Sequence, residues 1–338
     1  MKSLLYPAHH SVEIADQPMP IVAPGEALMR VAGCGICGSE LDAFRHASPR
    51  RPPPLIMGHE FCGELVEVRG DSRFKAGDRV ICNALAPCGE CVRCKRGDPH
   101  LCAKRQVFGM HRPGAFAEFV NVPLKDLLPW DATLPATAAA LAEPLGNGVH
   151  VVNLVRALNP RSVLVIGAGP IGLLAMQAFR ALTDATVYQA DLSPERLDVA
   201  RATGAAGVYD PRSVDLVKVS QDLTDGEGVD VVVDAVGASV TKKQSVQAVR
   251  PGGAAVWIGL HENSIDGFAT YDVTLPEKRV FGSYAATLAE MGVALELMAS
   301  GRVETASWVD AYPLDRGVEA FNRMLAGKGK DIKAVITP

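Results

Sequence analysis

Between Gly167 and Gly172 the chain reads Gly-Ala-Gly-Pro-Ile-Gly, directly after the apolar run Ser162–Ile166 and directly before Gly172–Leu182, a stretch with helical character. Glycine-rich turns are common, so the pattern alone says little. A strand before it, a helix after it and an acidic residue at the end of the next strand make it a dinucleotide fingerprint. Asp191, 19 residues beyond Gly172, supplies that acid. Gly167 then makes the tight turn, Gly169 lets a pyrophosphate approach the backbone, and Gly172 permits close helix packing. Pro170 and Ile171 open the helix whose N-terminus faces the phosphates.

The surrounding pattern agrees. Ser162–Ile166, Thr186–Ala190, Val229–Asp234 and Ala254–Gly259 read as strands; Gly172–Leu182, Pro194–Thr203 and Thr241–Val249 read as helices. Alternation of this kind predicts a doubly wound parallel sheet, an α/β fold. Asn147–Leu158 is expected to be helical and closed by Pro160. After Phe281 come two helices, Thr287–Ser300 and Leu314–Leu325, and a last strand, Ile332–Ile336. The first ~145 residues are rich in Gly, Pro and short β-like runs such as Glu26–Ala32, Glu64–Arg69 and Arg79–Asn83, the texture of a compact β unit. The expected organisation is a split β-rich domain, residues 1–145 and 282–338, with a nucleotide-binding domain, 146–281, inserted in it.

Asp191 bears on the choice of dinucleotide. A carboxylate there hydrogen-bonds the ribose hydroxyls of NAD and repels the 2′-phosphate of NADP. The competing reading makes it a cap for the helix beginning near Pro194, and Arg196 leaves room for NADP.

The net charge of −4 gives no general electrostatic case for nucleic acid or an anionic membrane surface. No apolar run reaches the ~18 residues of a membrane span, and Met1–Pro20 lacks an apolar signal core. The expectation is a cytoplasmic protein with no nucleic-acid or membrane partner.

All eight cysteines lie at or before Cys102. Cys88, Cys91, Cys94 and Cys102 follow C-x2-C-x2-C-x7-C, spacing that suits a closed tetrahedral Zn2+ site holding a loop too polar to have its own core. The long last gap and the lack of Pro after Cys102 disfavour an iron–sulfur cluster; a disulfide scaffold disagrees with chain size and compartment. Cys37, His59 and Glu60 form a more scattered set. Read from the residues alone, they are either ligands of a reactive metal or a buried thiol and a polar strand start. Cys34, Cys62 and Cys82 sit in apolar contexts and are expected in the core.

Cys34-Gly35-Ile36-Cys37-Gly38-Ser39-Glu40 resembles the CGICGSD segment of the medium-chain zinc dehydrogenases. Gly58-His59-Glu60 resembles their GHE motif, Cys88–Cys102 their structural-zinc lobe, and Gly114–Phe119 the GGFAEY strand. Glu143-Pro144-Leu145 is similar to EPLA of the polyol and threonine branch. The resemblance continues to the terminal strand. It implies a GroES-like β-rich catalytic domain plus a Rossmann sheet, two Zn2+ per chain, and NAD.

Residue by residue, the resemblance makes Cys37 and His59 catalytic-zinc ligands and Glu60 a residue able to ligate zinc or hold a zinc-bound water. Glu143 falls at the third protein ligand. Ser39 matches the hydroxyl that hands on the substrate proton. Val236, Gly237, Ile258 and Gly259 match the strand ends flanking the cofactor, and Ser283, within Phe281–Tyr284, lies in the segment beside the nicotinamide. The chain departs from the pattern at Asp42, where a relay histidine usually stands (His46 is nearby but out of register), and at Ala43, where sorbitol-type enzymes carry an aromatic residue.

The implied reaction is hydride transfer between a secondary alcohol and NAD, with a Lewis-acid zinc bringing the alcohol's pKa of ~16 toward neutrality. Glu143 favours a polyol, cyclitol or sugar, phosphorylated or not. A dehydrogenase of simple primary or aromatic alcohols, or an inactive zinc-stabilised binding protein, are the alternatives. A homodimer or homotetramer is implied, joined through Ala254–Gly259 and His261–Leu275.

Overall fold

The computed structural model describes residues 1–131, 133–327 and 329–338. The chain divides into two compact units: Met1–Glu143 with Ala286–Ser300 and Thr305–Pro338, and Pro144–Ala285 with Gly301–Glu304.

In the first unit the long strand Glu26–Gly35 is central. It pairs antiparallel with Glu60–Arg69 on one side and with Lys333–Thr337 and Phe119–Pro123 on the other. Arg79–Cys82 and Leu127–Pro129 extend the sheet beyond Glu60–Arg69, and Val309–Pro313 lies parallel to Lys333–Thr337. A smaller sheet is built on Lys2–Ala8. Its core packs Tyr6, Met29, Met57, Phe61, Leu65, Phe108, Phe116 and Phe321.

Register does the positioning. Gly35 stands opposite both Glu60 and Val335. Cys37 therefore leaves the end of one strand where Glu60 begins its neighbour and where Lys333 begins the third. Gly63 lets Glu26–Gly35 cross closely: a Cβ there would lie 2.2 Å from the Arg30 carbonyl oxygen. Bulges between Leu28 and Met29 and between Val31 and Gly33 bend the pair at the same place.

The second unit is a six-stranded, wholly parallel sheet. Its order is Gly207–Tyr209, Thr186–Ala190, Ser162–Ile166, Val229–Asp234, Val249–Trp257, Arg279–Gly282. Strand order reverses between Ser162–Ile166 and Val229–Asp234, and ligands of open parallel sheets bind beyond the strand ends at such a switch. The turn Gly167–Gly172 and the Val236-Gly237 pair lie at those two ends.

Three expectations change. The helix expected at Asn147 runs from Ala142 to Val155; Pro144 fits because proline in a first turn forfeits no internal hydrogen bond. The strand expected at Ala254–Gly259 is Val249–Trp257 and is paired on both sides. It therefore cannot meet a copy of itself edge to edge; the two edge strands are Gly207–Tyr209 and Arg279–Gly282, both too short to stand out in the sequence. No helix among the described residues is long and apolar enough to cross a membrane.

Candidate active site

Cys37 is the N-cap of helix Gly38–Arg45, and Glu40 in the first turn faces back toward it. The Cys37 N–H donates to Glu40 Oε2 at 3.0 Å. Glu40 Oε1 accepts from the Gly58 N–H at 2.8 Å and lies 2.9 Å from His59 Nδ1. Glu40 is fully buried. Burial works to raise its pKa, but His59, Arg51 and the Cys37 N–H outweigh that and hold the carboxyl below the usual range. An ionised carboxylate on Nδ1 places the ring proton there and leaves Nε2 as a ligand lone pair. Burial opposes a charge on His59, yet Glu40 and Cys37 raise its pKa well above the usual value, so a metal at Nε2 would have to displace a proton there. Gly58 supplies a left-handed turn, φ +101°, and a Cβ on it would lie 2.7 Å from Cys34 Sγ.

This framework gathers one ligand atom each from Cys37, His59 and Glu60 within 4.8 Å of one another. Thiolate, imidazole and carboxylate are a donor set that suits Zn2+. Glu143 stands outside this cluster, buried in the first turn of helix Ala142–Val155. Glu60 is also ion-paired with Lys333, whose ammonium donates to the Ile36 carbonyl at 2.8 Å. Ser39 Oγ donates to Cys37 Sγ at 3.3 Å. The buried Arg51 holds Ser39 through its carbonyl at 2.7 Å and its hydroxyl at 3.2 Å, and donates to the Gly109 carbonyl at 3.0 Å. Asp42 is exposed and pairs with the equally exposed His46 at 3.0 Å.

The structure thus adds Glu40, Arg51 and Lys333 to the residues the sequence singled out. Glu40 had a local signal, since its spacing from Cys37 is that of a capping box. Arg51 and Lys333 had none.

Cys88, Cys91, Cys94 and Cys102 converge in the lobe, with Sγ···Sγ separations of 3.5, 3.6, 3.8 and 4.0 Å. A tetrahedral Zn–S distance of ~2.3 Å sets such separations at roughly 3.8 Å, whereas a disulfide needs ~2.05 Å. All eight cysteines are free thiols. Backbone hydrogen bonding pulls Cys91 down to about 6, while desolvation drives Cys94 up to about 12. Four sulfurs this close cannot all ionise without a cation between them. Cys34, Cys62 and Cys82 are buried, and burial pushes their thiols upward.

In the second unit Gly167 is left-handed at φ +100°, and a Cβ on Gly172 would lie 1.7 Å from the Gly167 oxygen. Gly172 is thus required by the turn's own carbonyl. Gly169 is open, with Arg196 Nη1 the nearest neighbour at 4.0 Å, and it caps the helix that Pro170 and Ile171 begin. Asp191 accepts from the Ala168 N–H at 2.6 Å and the Ser193 N–H at 2.8 Å, tying the strand end to the turn. Ser193, not Asp191, caps the helix beginning at Pro194. Gly237 and Gly259 cross backbone to backbone, a Cβ on Gly237 meeting Gly259 at 2.2 Å. Val236 and Ile258 flank them, and Ser283 N–H donates to the Trp257 carbonyl at 2.9 Å.

The family model for the alcohol dehydrogenase GroES-like domain matches residues 23–132, and that for zinc-binding dehydrogenases matches 170–300. L-threonine 3-dehydrogenase of Pyrococcus abyssi is 34% identical over 326 residues, 94% of this chain and 93% of that protein. The chain belongs to the zinc-dependent medium-chain alcohol dehydrogenases. Its place is in their polyol and threonine branch. L-galactonate-5-dehydrogenase of Escherichia coli is 32% identical, covering 95% of this chain and 94% of that one. A zinc-binding dehydrogenase of Sinorhizobium meliloti, solved with NADP bound, superposes with TM-score 0.90 at 29% identity, over 100% of this chain and 99% of that one. The dehydrogenase is accordingly an oxidoreductase using zinc and a nicotinamide dinucleotide.

Proposed function

We propose that the enzyme oxidises a secondary alcohol of a polyol, cyclitol or sugar with NAD, using Cys37, His59 and a carboxylate as the catalytic-zinc ligands. The observation that carries the reading is the convergence of Cys37, His59 and Glu60, with Glu40 behind the imidazole. When bound there, zinc supplies Lewis acidity that makes the alcohol a better proton donor. Ser39 takes that proton at Oγ, oriented for it by Arg51. Asp42 stands where the relay histidine of the family usually lies and is paired with His46 at the surface. The carboxylate is Glu60 or Glu143, exchanging at the metal; Glu60 is the one gathered with Cys37 and His59. Cys88, Cys91, Cys94 and Cys102 hold a second, structural zinc.

On the cofactor side, Gly167, Gly169, Pro170, Ile171 and Gly172 receive the pyrophosphate, Asp191 the ribose, and Arg196 borders the turn. Val236, Gly237, Ile258, Gly259 and Ser283 border the nicotinamide half. The chain works as a homo-oligomer in the cytoplasm, joined through the open edge strand Arg279–Gly282. The exposed Leu260, Tyr271 and Leu275 support that surface.

NAD reduction followed at the nicotinamide absorbance across a panel of polyols and sugar phosphates tests the reading. Turnover of at least one polyol, by protein carrying two zinc ions per chain and losing activity with the first ion removed by a chelator, is the expected result. Turnover restricted to primary or aromatic alcohols would overturn the substrate class.

A further inference from the structure

Ser39 is tied to the rest of its unit by one guanidinium. Arg51 reaches Ser39 with two nitrogens and Gly109 with the third. The residues flanking Arg51, and those following Gly109, line a cavity of about 500 Å³. Pro49, Arg50 and Pro52 line it from one segment of the chain, and Arg105, Met110 and His111 from another. Among the described residues no carboxylate lines it.

The chemistry of the lining is one-sided. Arg50 and Arg105 carry permanent positive charge and forked N–H donors that match the oxygens of a carboxylate or phosphate. His111 adds a donor: its Nδ1 accepts the Val107 N–H at 3.0 Å, so in the neutral ring the proton sits on Nε2. Proline and methionine supply apolar walls without competing acceptors. Arg105 is anchored, donating to the Cys102 carbonyl at 2.9 Å. Cys102 belongs to the four-sulfur lobe, so a metal held in that lobe would also steady Arg105.

We infer that this cavity binds an anionic group, carboxylate or phosphate, at the end of the alcohol substrate remote from the carbon that is oxidised. The inference rests on the reading of Ser39 as proton acceptor, and it narrows the substrate from polyols at large to polyols bearing a negative charge. Arg50, Arg105 and His111 are the specificity-determining residues. Arg51 sets the spacing between the two ends of the substrate, because one arginine side chain joins Ser39 to the cavity wall.

Two matched comparisons test it on the zinc- and NAD-loaded enzyme: galactitol against galactitol 1-phosphate, and galactitol against galactonate. Each is measured by kcat/KM and by calorimetric Kd for the wild type, the Arg50→Ala/Arg105→Ala double variant and the Arg50→Lys/Arg105→Lys double variant. At least one charged member is expected to be bound and used about tenfold or more better than galactitol. The advantage should shrink to within about threefold in the double alanine variant, persist in part in the double lysine variant, and weaken at ~0.5 M NaCl. Circular dichroism and zinc content matching the wild type report intact folding of the variants, and a loss for galactitol as large as that for the charged members would overturn the inference. A preference confined to the phosphate or to the carboxylate assigns the group. Equal binding of charged and neutral members by the wild type, or a preference that survives the double alanine variant, overturns the inference. Failure of every alcohol to reduce NAD would instead overturn the dehydrogenase reading, while the calorimetric comparison still decides the anion site.

Discussion

The ammonium of Lys333, on the strand that ends the chain, is buried against the carboxylate of Glu60, which begins a strand 273 residues earlier in the sequence. Both side chains are almost wholly removed from solvent. Burial alone would lower the pKa of Lys333, but Glu60, Cys37 and Glu40 together raise it above the ordinary lysine value. The pair fits only because position 35 is glycine: a Cβ there would lie 2.2 Å from Glu60 Oε2. Glu60 thus has one cation fixed in the protein, and a zinc held with Cys37 and His59 would be a second.

Lys333→Met is expected to cost more in the zinc-free protein than in the zinc-loaded one. Removing one partner of a buried pair leaves an uncompensated charge, typically worth about 3–5 kcal/mol. A bound zinc offers Glu60 a replacement partner and should recover much of that. Tm measured with and without a chelator checks it; equal losses in both forms would remove Glu60 from the metal's reach.

Glu40→Gln keeps the size of the side chain but replaces the ionised acceptor behind His59. Changes at such positions typically cost ~10–100-fold in metal affinity or activity. The effect should be confined to one of two zinc ions, because Cys88, Cys91, Cys94 and Cys102 share no hydrogen bond with Glu40. Chelator competition resolved per zinc ion is the measurement. Loss of both ions together would mean that Glu40 supports the fold rather than the ligand.

Asp191→Ser should raise KM for NAD by roughly 10- to 150-fold, the cost of about one charge-assisted hydrogen bond. Its carboxylate also holds the Ala168 N–H, so part of the effect should appear as a lower Tm even without cofactor. An unmodified enzyme that prefers NADP would show that Asp191 only braces the turn.

Asp126 supplies a pH test away from both metal clusters. Burial pushes its carboxyl up to about 7, with Lys125 and Arg112 offsetting this only in part. In the unfolded chain the group ionises near ~3.9. Between those values the folded state keeps a proton the unfolded state has released, so the contribution of Asp126 to stability falls as pH rises through that window. Asp126→Asn is therefore expected to stabilise the protein more at pH ~8 than at pH ~5.5, by about 2 kcal/mol at most. Denaturant unfolding of both proteins at the two pH values checks it, and an equal difference at both would assign the gain to packing.

Local constraints were legible in the sequence because each is carried by neighbouring residues. The strand–turn–helix around Gly167–Gly172 follows from Gly167, left-handed at φ +100°, and Gly172, whose Cβ would lie 1.7 Å from the Gly167 oxygen. The four-cysteine lobe spans fifteen positions and closes on itself, so its spacing already implied convergence. Gly58-His59-Glu60 and Cys37 were visible as residue types. Their meeting was not, because it depends on Gly35 standing opposite Glu60 in a sheet register that no short window encodes. Edge strand Arg279–Gly282, too short to carry a period of its own, became a strand only by pairing with Val249–Trp257. Lys333 is the extreme case. In the sequence it is a polar residue before an apolar run; only the sheet, by laying Lys333–Thr337 beside Glu26–Gly35, buries its charge and makes Glu60 its partner. Local chemistry belonged to the sequence, and long-range charge pairing to the tertiary structure, because a buried ion is tolerable only where distant strands deliver its counter-ion.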